Sequence, residues 1–159
     1  MEQLLLDALR ERGLTFAAAE SCTGGLIAKR ITDLAGASAV FRGGVVSYTN
    51  EVKRDVLGVP QPLLDKYGAV SAPVAEAMAE GVRRITGADF AVSVTGVAGP
   101  DKDERGNEVG TVYFGIAGDT TVAHIKEHIS GDRAAIRNAA AEIAFLLLLH
   151  AVQDNYPTT

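Results

Sequence analysis

Residues 15–36 read TFAAAESCTGGLIAKRITDLAG. Thr15–Ala19 is short and apolar, the pattern of a buried strand. The period then changes. Over residues 23–35, Leu26, Ile27, Ile31 and Leu34 fall on one side of a helix, and Gly36 stops it. A buried strand that runs into an amphipathic helix is the start of an α/β layer arrangement. The residues between the two, Ser21 onward, then sit at the carboxyl end of a sheet, where α/β domains gather their ligands.

Working outward, residues 2–12 predict a helix with Leu5, Leu6 and Leu9 on one side. Val45–Tyr48 predicts a strand that ends in polar Thr49–Asn50, followed by short helices at 50–57 and 61–67 on either side of Pro60. Pro73 suits the first turn of a helix reaching about Thr86. Ala88–Thr95 is a buried strand, and residues 96–108 form a loop rich in glycine and charge. Val109–Ala117 and Val122–Ile129 are consecutive strands around Gly118–Asp119, and Asp132 caps a long final helix. Strands alternate with helices and then two strands follow directly. The pattern predicts an α/β fold, a three-layer α/β/α sandwich with a mixed, mostly parallel sheet. With 159 residues, no internal repeat and no low-complexity linker, one domain over residues 1–159 is expected.

Composition narrows the function. Hydrophobic residues make up 47%, enough for a sizeable core. A net charge of −5 argues against a general nucleic-acid binder, which needs a basic face for phosphates. Cys22 is the only cysteine, so no internal disulfide forms, which fits a reducing cytoplasm. MEQLLLDALRERG lacks the basic and apolar regions of a signal peptide. The apolar run IAFLLLLHAV at 143–152 is too short to span a bilayer and holds His150, so no membrane association is expected. Its apolar face fits a core helix and equally leaves a homo-oligomer open.

Four groups could carry chemistry. Ser21 stands before Gly24 and Gly25, which allow close approach of a substrate or another strand to the backbone. The N–H groups at the start of helix 23–35 could hold an anion or an oxyanion, or Ser21 or Thr23 simply caps that helix. The segment is not a Walker A loop, because no Gly-Lys-Ser/Thr follows, and Ala19 and Thr23 stand where GxSxG needs glycine. Tyr48 ends a strand and Lys53 lies in the next helix. Lys53 could act as a base if burial or a cation draws its pKa well below roughly 10.4. The alternative is a solvated lysine beside a core-edge tyrosine.

Arg133 and Arg137 share a helix face near its start, where two cations are slightly unfavourable. Either a bound anion such as a substrate phosphate compensates them, or Asp132 or Glu142 does. His124 and His128 lie in a run that alternates like a strand, which sets them too far apart for one metal. Asp101, Asp103 and Gly106 begin like a calcium loop, but Val112 stands where its closing glutamate belongs. Cys22 reads as a buried, inert thiol.

These blocks together resemble one family, the C-terminal domain of the competence/damage-inducible protein CinA. The resemblance runs through residues 3–150 and rests on AESCTGGLIA (19–28), FRGGVVSYTNEVKRDVLGV (41–59) and YGAVSAPVAEAMAEGV (67–82). It continues through ADFAVSVTGVAGPD (88–101), VGTVYFGIA (109–117) and GDRAAIR (131–137). Enzymatic members deamidate nicotinamide mononucleotide to nicotinate mononucleotide and ammonia, with no metal and no cofactor. By position, Ser21, Tyr48 and Lys53 look like the catalytic set. Cys22, Thr23, Gly24, Gly25, Thr95 and Gly96 look like substrate-side residues, with Arg137 and then Arg133 as ligand-binding arginines. After the AGP turn the family usually has a glycine pair and then a basic-proline segment. Here the run is DKDERGNEVG. The chain looks like the stand-alone form, without the larger N-terminal domain of many relatives.

The resemblance implies that Ser21 attacks the carboxamide while the Lys53–Tyr48 pair takes its proton. N–H groups near Cys22–Gly25 would hold the oxyanion and Thr95 would orient the amide. Two other readings stay open: a non-catalytic nucleotide-binding module, and an amidase acting on another nucleotide.

Overall fold

The computed structural model describes residues 1–155. In chain order the elements are α1 (Glu2–Arg12), β1 (Phe16–Glu20), α2 (Leu26–Thr32), β2 (Phe41–Val46), α3 (Asn50–Asp55) and α4 (Gln61–Tyr67). They continue with α5 (Ala72–Thr86), β3 (Phe90–Gly96), β4 (Thr111–Ala117), β5 (Val122–His128) and α6 (Arg133–Asn155).

The five strands form one sheet in the order β2-β1-β3-β4-β5. β1 pairs in parallel with β2 and β3, while β4 is antiparallel to both β3 and β5, so β4 alone runs against the other four. This is the mixed, mostly parallel sheet expected from the alternation of elements. No helix separates β3 from β4 or β4 from β5, and strands joined without a crossover pair antiparallel.

Alternation along β1 feeds two cores. Phe16 and Ala18 point into a cluster with Leu5, Ile31 and Phe145, while Ala17 and Ala19 join Leu57, Met78 and Val82. Helices α1, α2 and α6 therefore cover one face, and α4 and α5 the other. Each large apolar side chain buried in this way contributes roughly 1.5–3 kcal/mol relative to exposure. Contact on the second face is close. A Cβ on Gly115 of β4 would lie 2.2 Å from the Ala75 carbonyl oxygen of α5. Arg30 of α2 ion-pairs with Glu2 of α1 and Glu142 of α6, tying the three helices of the first face together.

Helix α6 is long and apolar enough to cross a membrane by length and composition. It exceeds the 143–152 run read from sequence. Ile136, Ala140, Ala144, Phe145, Leu148 and Val152 are fully buried in the first core, the burial of a core helix.

Several boundaries shift by two to four residues from the sequence reading, and glycine explains two of them. Helix α2 begins at Leu26 instead of 23, because Gly24 and Gly25 take positive φ (58° and 106°) and hold the chain in a turn. β2 spans Phe41–Val46 instead of 45–48. Its Gly43–Gly44 hides the strand pattern, and a Cβ on Gly44 would crowd the Ala18 carbonyl oxygen of β1 at 2.9 Å.

Candidate active site

β1 delivers the chain to a turn, Ser21–Gly25, that is supported from two sides. From below, the buried carboxylate of Glu20 accepts the N–H of Ile27 (2.8 Å) and of Ala28 (3.2 Å). From the side, Arg137 of α6 donates from Nε to the Cys22 carbonyl (3.0 Å) and from Nη2 to the Thr23 carbonyl (3.1 Å). Within the turn the Gly24 N–H donates to the Ser21 carbonyl and the Leu26 N–H to the Thr23 carbonyl, both at 3.1 Å.

This corrects one expectation from the sequence. Neither Ser21 nor Thr23 caps α2, and the N–H groups of Ile27 and Ala28 do not await an external anion, because Glu20 already occupies them. An acid closing a buried apolar strand was the signal for this arrangement. Such a carboxylate must find donors within the protein.

The second half of the site comes from α3. Thr49 caps this helix, its hydroxyl accepting the Val52 N–H at 3.3 Å. One turn in, Lys53 points under the sheet edge and is only 1% exposed. Its Nζ lies 3.0 Å from Ser21 Oγ and donates to the carbonyls of Ser47 (2.8 Å) and Tyr48 (3.3 Å). Among the described residues no carboxylate pairs with it. Burial draws the amine down to about 8. Two N–H groups of a neutral amine serve the two carbonyls, and the lone pair then faces the Ser21 hydroxyl. The arrangement can deprotonate a serine.

Tyr48 contributes differently from the sequence reading. Its carbonyl meets the Lys53 amine, but its phenol does not. The ring is 58% exposed, and its oxygen accepts from Arg133 Nη2 at 3.2 Å. Ser47 is fully buried, and the next side chain along the chain points the opposite way.

A pocket of about 480 Å³ opens above the pair. Of the residues singled out in the sequence, Ser21, Cys22, Tyr48, Lys53, Thr95, Gly96 and Arg133 line it. Thr23, Gly24, Gly25 and Arg137 do not, and belong to the supporting turn. Thr95 donates its hydroxyl to the Ala69 carbonyl at 2.8 Å, which leaves its lone pairs toward the pocket. At Gly96 a Cβ would lie 2.7 Å from Val112 Cγ2, so β4 packs against bare backbone there. Arg133 donates to the Gly99 carbonyl at 2.6 Å as well as to Tyr48.

Sequence reading missed Asn50, Glu51, Ala69, Val70 and Glu104, which also line the pocket. The first two lie between Tyr48 and Lys53 and could have been inferred from them. The others come from loops, where no periodicity points to a site.

The remaining candidates fall elsewhere. Burial pushes the Cys22 thiol up to about 11, so it stays protonated. His124 and His128 do lie on a strand, and His124 pairs with Glu76 at 2.8 Å. Asp103 spends its carboxylate on the N–H groups of Arg105 and Asn107 and on the Asn107 side chain. Among the described residues no group of three or more His, Cys, Asp or Glu side chains is arranged for a metal.

Known proteins share this fold and much of this sequence. The CinA C-terminal domain family matches residues 1–152. A nicotinamide-nucleotide amidohydrolase, PncC, of Enterobacter agglomerans is 53% identical over 135 residues, 84% of this chain and 82% of that protein. A CinA-like protein of Geobacter sulfurreducens is 55% identical over 136 residues, but the chain spans only 33% of its length. Several other curated relatives are likewise matched over about a third of their length. Among solved structures, a CinA superfamily protein from Klebsiella pneumoniae superposes with a TM-score of 0.94 at 32% identity, over 96% of both chains. The competence/damage-inducible protein CihA from Agrobacterium tumefaciens gives 0.89 at 39% identity, over 96% of this chain and 94% of that one. By these matches, the chain belongs to the CinA C-terminal domain family.

Proposed function

We propose that this protein hydrolyses the carboxamide of nicotinamide mononucleotide to nicotinate mononucleotide and ammonia, in pyridine nucleotide recycling. The observation that carries the reading is the buried Lys53 amine 3.0 Å from Ser21 Oγ at the base of the pocket. The name of the Enterobacter agglomerans relative supports the choice of substrate.

Neutral Lys53 takes the hydroxyl proton as Ser21 Oγ bonds to the carboxamide carbon. The carbonyl π electrons move to oxygen. The Ser21 and Gly24 N–H groups are committed to the Val94 and Ser21 carbonyls, so the oxyanion falls to the N–H of Cys22, the residue of this turn that lines the pocket beside Ser21. The Lys53 ammonium returns its proton to the leaving nitrogen, and ammonia departs as the C–N bond breaks. Water then loses a proton to Lys53 and attacks the ester, and as the Oγ–C bond breaks the Lys53 ammonium gives that proton to Ser21 Oγ, releasing the carboxylic acid and restoring the neutral amine. Thr95 accepts from the amide N–H and orients the group. Arg133, on the pocket wall, holds the phosphate, and Tyr48 shapes the rim beside it. Each step uses only these side chains, water and the substrate. The partner is a small molecule, and the cytoplasm is the compartment that goes with this substrate.

Ammonia release by the purified protein tests the reading, with a chelator present, across nicotinamide, its riboside, its mononucleotide and NAD. Release from the mononucleotide above the others is expected. No release, or release restored only by a divalent cation, would overturn it.

A further inference from the structure

We propose that Arg105 is a positioning residue that sets the outer wall of the pocket by pinning the 101–108 loop to the end of α4. The inference rests on the amidase reading for its kinetic consequences.

Arg105 reaches back across the surface to the last turn of α4. Its Nη1 donates to the Lys66 carbonyl at 3.2 Å, and its Nη2 to the carbonyls of Leu64 (3.2 Å) and Asp65. The Leu64 carbonyl also accepts the Gly68 N–H at 2.9 Å, while those of Asp65 and Lys66 lie in the last turn, where a helix leaves carbonyls without internal partners and a cation is favourable. The next residue is shaped around this contact. Gly68 has φ +75°, and a Cβ there would lie 2.5 Å from both Cδ and Nε of Arg105. The loop itself is closed on Asp103. Its carboxylate accepts the Arg105 N–H (3.1 Å), the Asn107 N–H (2.7 Å) and Asn107 Nδ2 (2.8 Å).

Both segments that Arg105 joins face the pocket. Glu104 lines it from the loop, and Ala69 and Val70 line it directly after Gly68. The Ala69 carbonyl also accepts the Thr95 hydroxyl. A second cleft of about 430 Å³, lined by Arg105 and Asp103, adjoins the pocket and shares Asn50, Ala69, Val70 and Glu104 with it. The guanidinium thus holds together the two segments, a partition of loop and helix end, that line both clefts. Ser21 and Lys53 are fixed independently, by Glu20, Arg137 and the carbonyls of Ser47 and Tyr48. Releasing the partition loosens the grip on substrate and leaves the proton-transfer geometry in place.

The test combines steady-state kinetics on the mononucleotide with amide hydrogen exchange of the free protein, for Arg105→Ala, Gly68→Ala and the double variant. Each single change should raise KM about tenfold with kcat held within about twofold. The double variant should match Gly68→Ala and exceed Arg105→Ala, because Gly68→Ala breaks the same contact and adds the strain of a side chain at φ +75°. Exchange should quicken at 68–71 and 101–108 and stay unchanged at 20–25. Unchanged exchange at 68–71 in Arg105→Ala overturns the proposal whether or not the protein turns over the mononucleotide, and so does a fall in kcat without a rise in KM. Failure of the unaltered protein to release ammonia would sink the amidase reading instead, and exchange alone would then decide the coupling.

Discussion

Lys53 Nζ and Ser21 Oγ lie 3.0 Å apart, although the two residues come from different helix-and-strand units and are 32 positions apart in the chain. β1 and α3 meet there only because β2 lies parallel beside β1 and ends just short of α3. The contact is therefore a product of the sheet, and it makes specific demands on both residues.

Ser21→Ala should lower kcat by at least about two orders of magnitude, the scale of losing a key catalytic group. Its melting temperature should hold, because the turn is carried by Glu20 and Arg137. Cys22→Ala should keep most of the activity, since a thiol held near 11 supplies almost no thiolate at neutral pH. The reverse outcome in the pair would transfer the nucleophile to Cys22.

Only the neutral amine can accept the serine proton, and burial sets the Lys53 pKa at about 8. Plotted against pH, kcat/KM should climb about tenfold per unit below that value and level off above it. Lys53→Arg should abolish the reaction, because arginine stays protonated. A flat profile between about pH 6 and 8 would exclude Lys53 as the base.

The same burial acts on folding. The folded-state pKa of Lys53 lies near 8, below its ordinary 10.5, so between these values the unfolded chain binds more protons. Stability from this group is fully present above about 10.5 and is lost as pH falls toward 8. The unaltered protein should therefore gain stability relative to Lys53→Met as pH rises through that window. Denaturant melts of both at three pH values would show this, and a constant difference would rule it out.

Arg133 and Arg137 should separate by substrate. Arg137 serves the Cys22 and Thr23 carbonyls, so Arg137→Ala should lower kcat and stability and act alike on mononucleotide and riboside. Arg133 faces the pocket, so Arg133→Ala should raise KM for the mononucleotide by roughly ten- to a hundredfold, the value of a charge-assisted hydrogen bond. The riboside, having no phosphate, should scarcely respond. Equal effects of Arg133→Ala on both substrates would place the phosphate elsewhere.

Much of this was legible from the chain. The change of period around Ser21 announced the β1–α2 unit, and consecutive strands at the end announced the antiparallel β4 and β5. The roles of individual side chains were less so. Whether Tyr48 points in or out depends on the parity of the residues after β2, and its Gly43–Gly44 obscured where that strand ends. Arg133 and Arg137 lie on one face, separated by one helical turn of about 5.4 Å. That single step decides whether a guanidinium meets the turn or the pocket, and no pattern within α6 encodes it. The hold of Arg105 on α4 joins segments some 40 positions apart, beyond any local signal.

The Lys53 amine touches a hydroxyl and two main-chain carbonyls, none of which carries charge. Its basicity is thus governed by dehydration and not by a counter-ion, and mobile salt has no ion pair to screen there. The acid limb of the rate profile should stay at the same pH from dilute buffer to high ionic strength, while binding of an anionic substrate at the open rim weakens. Salt would then distinguish the two ends of one pocket.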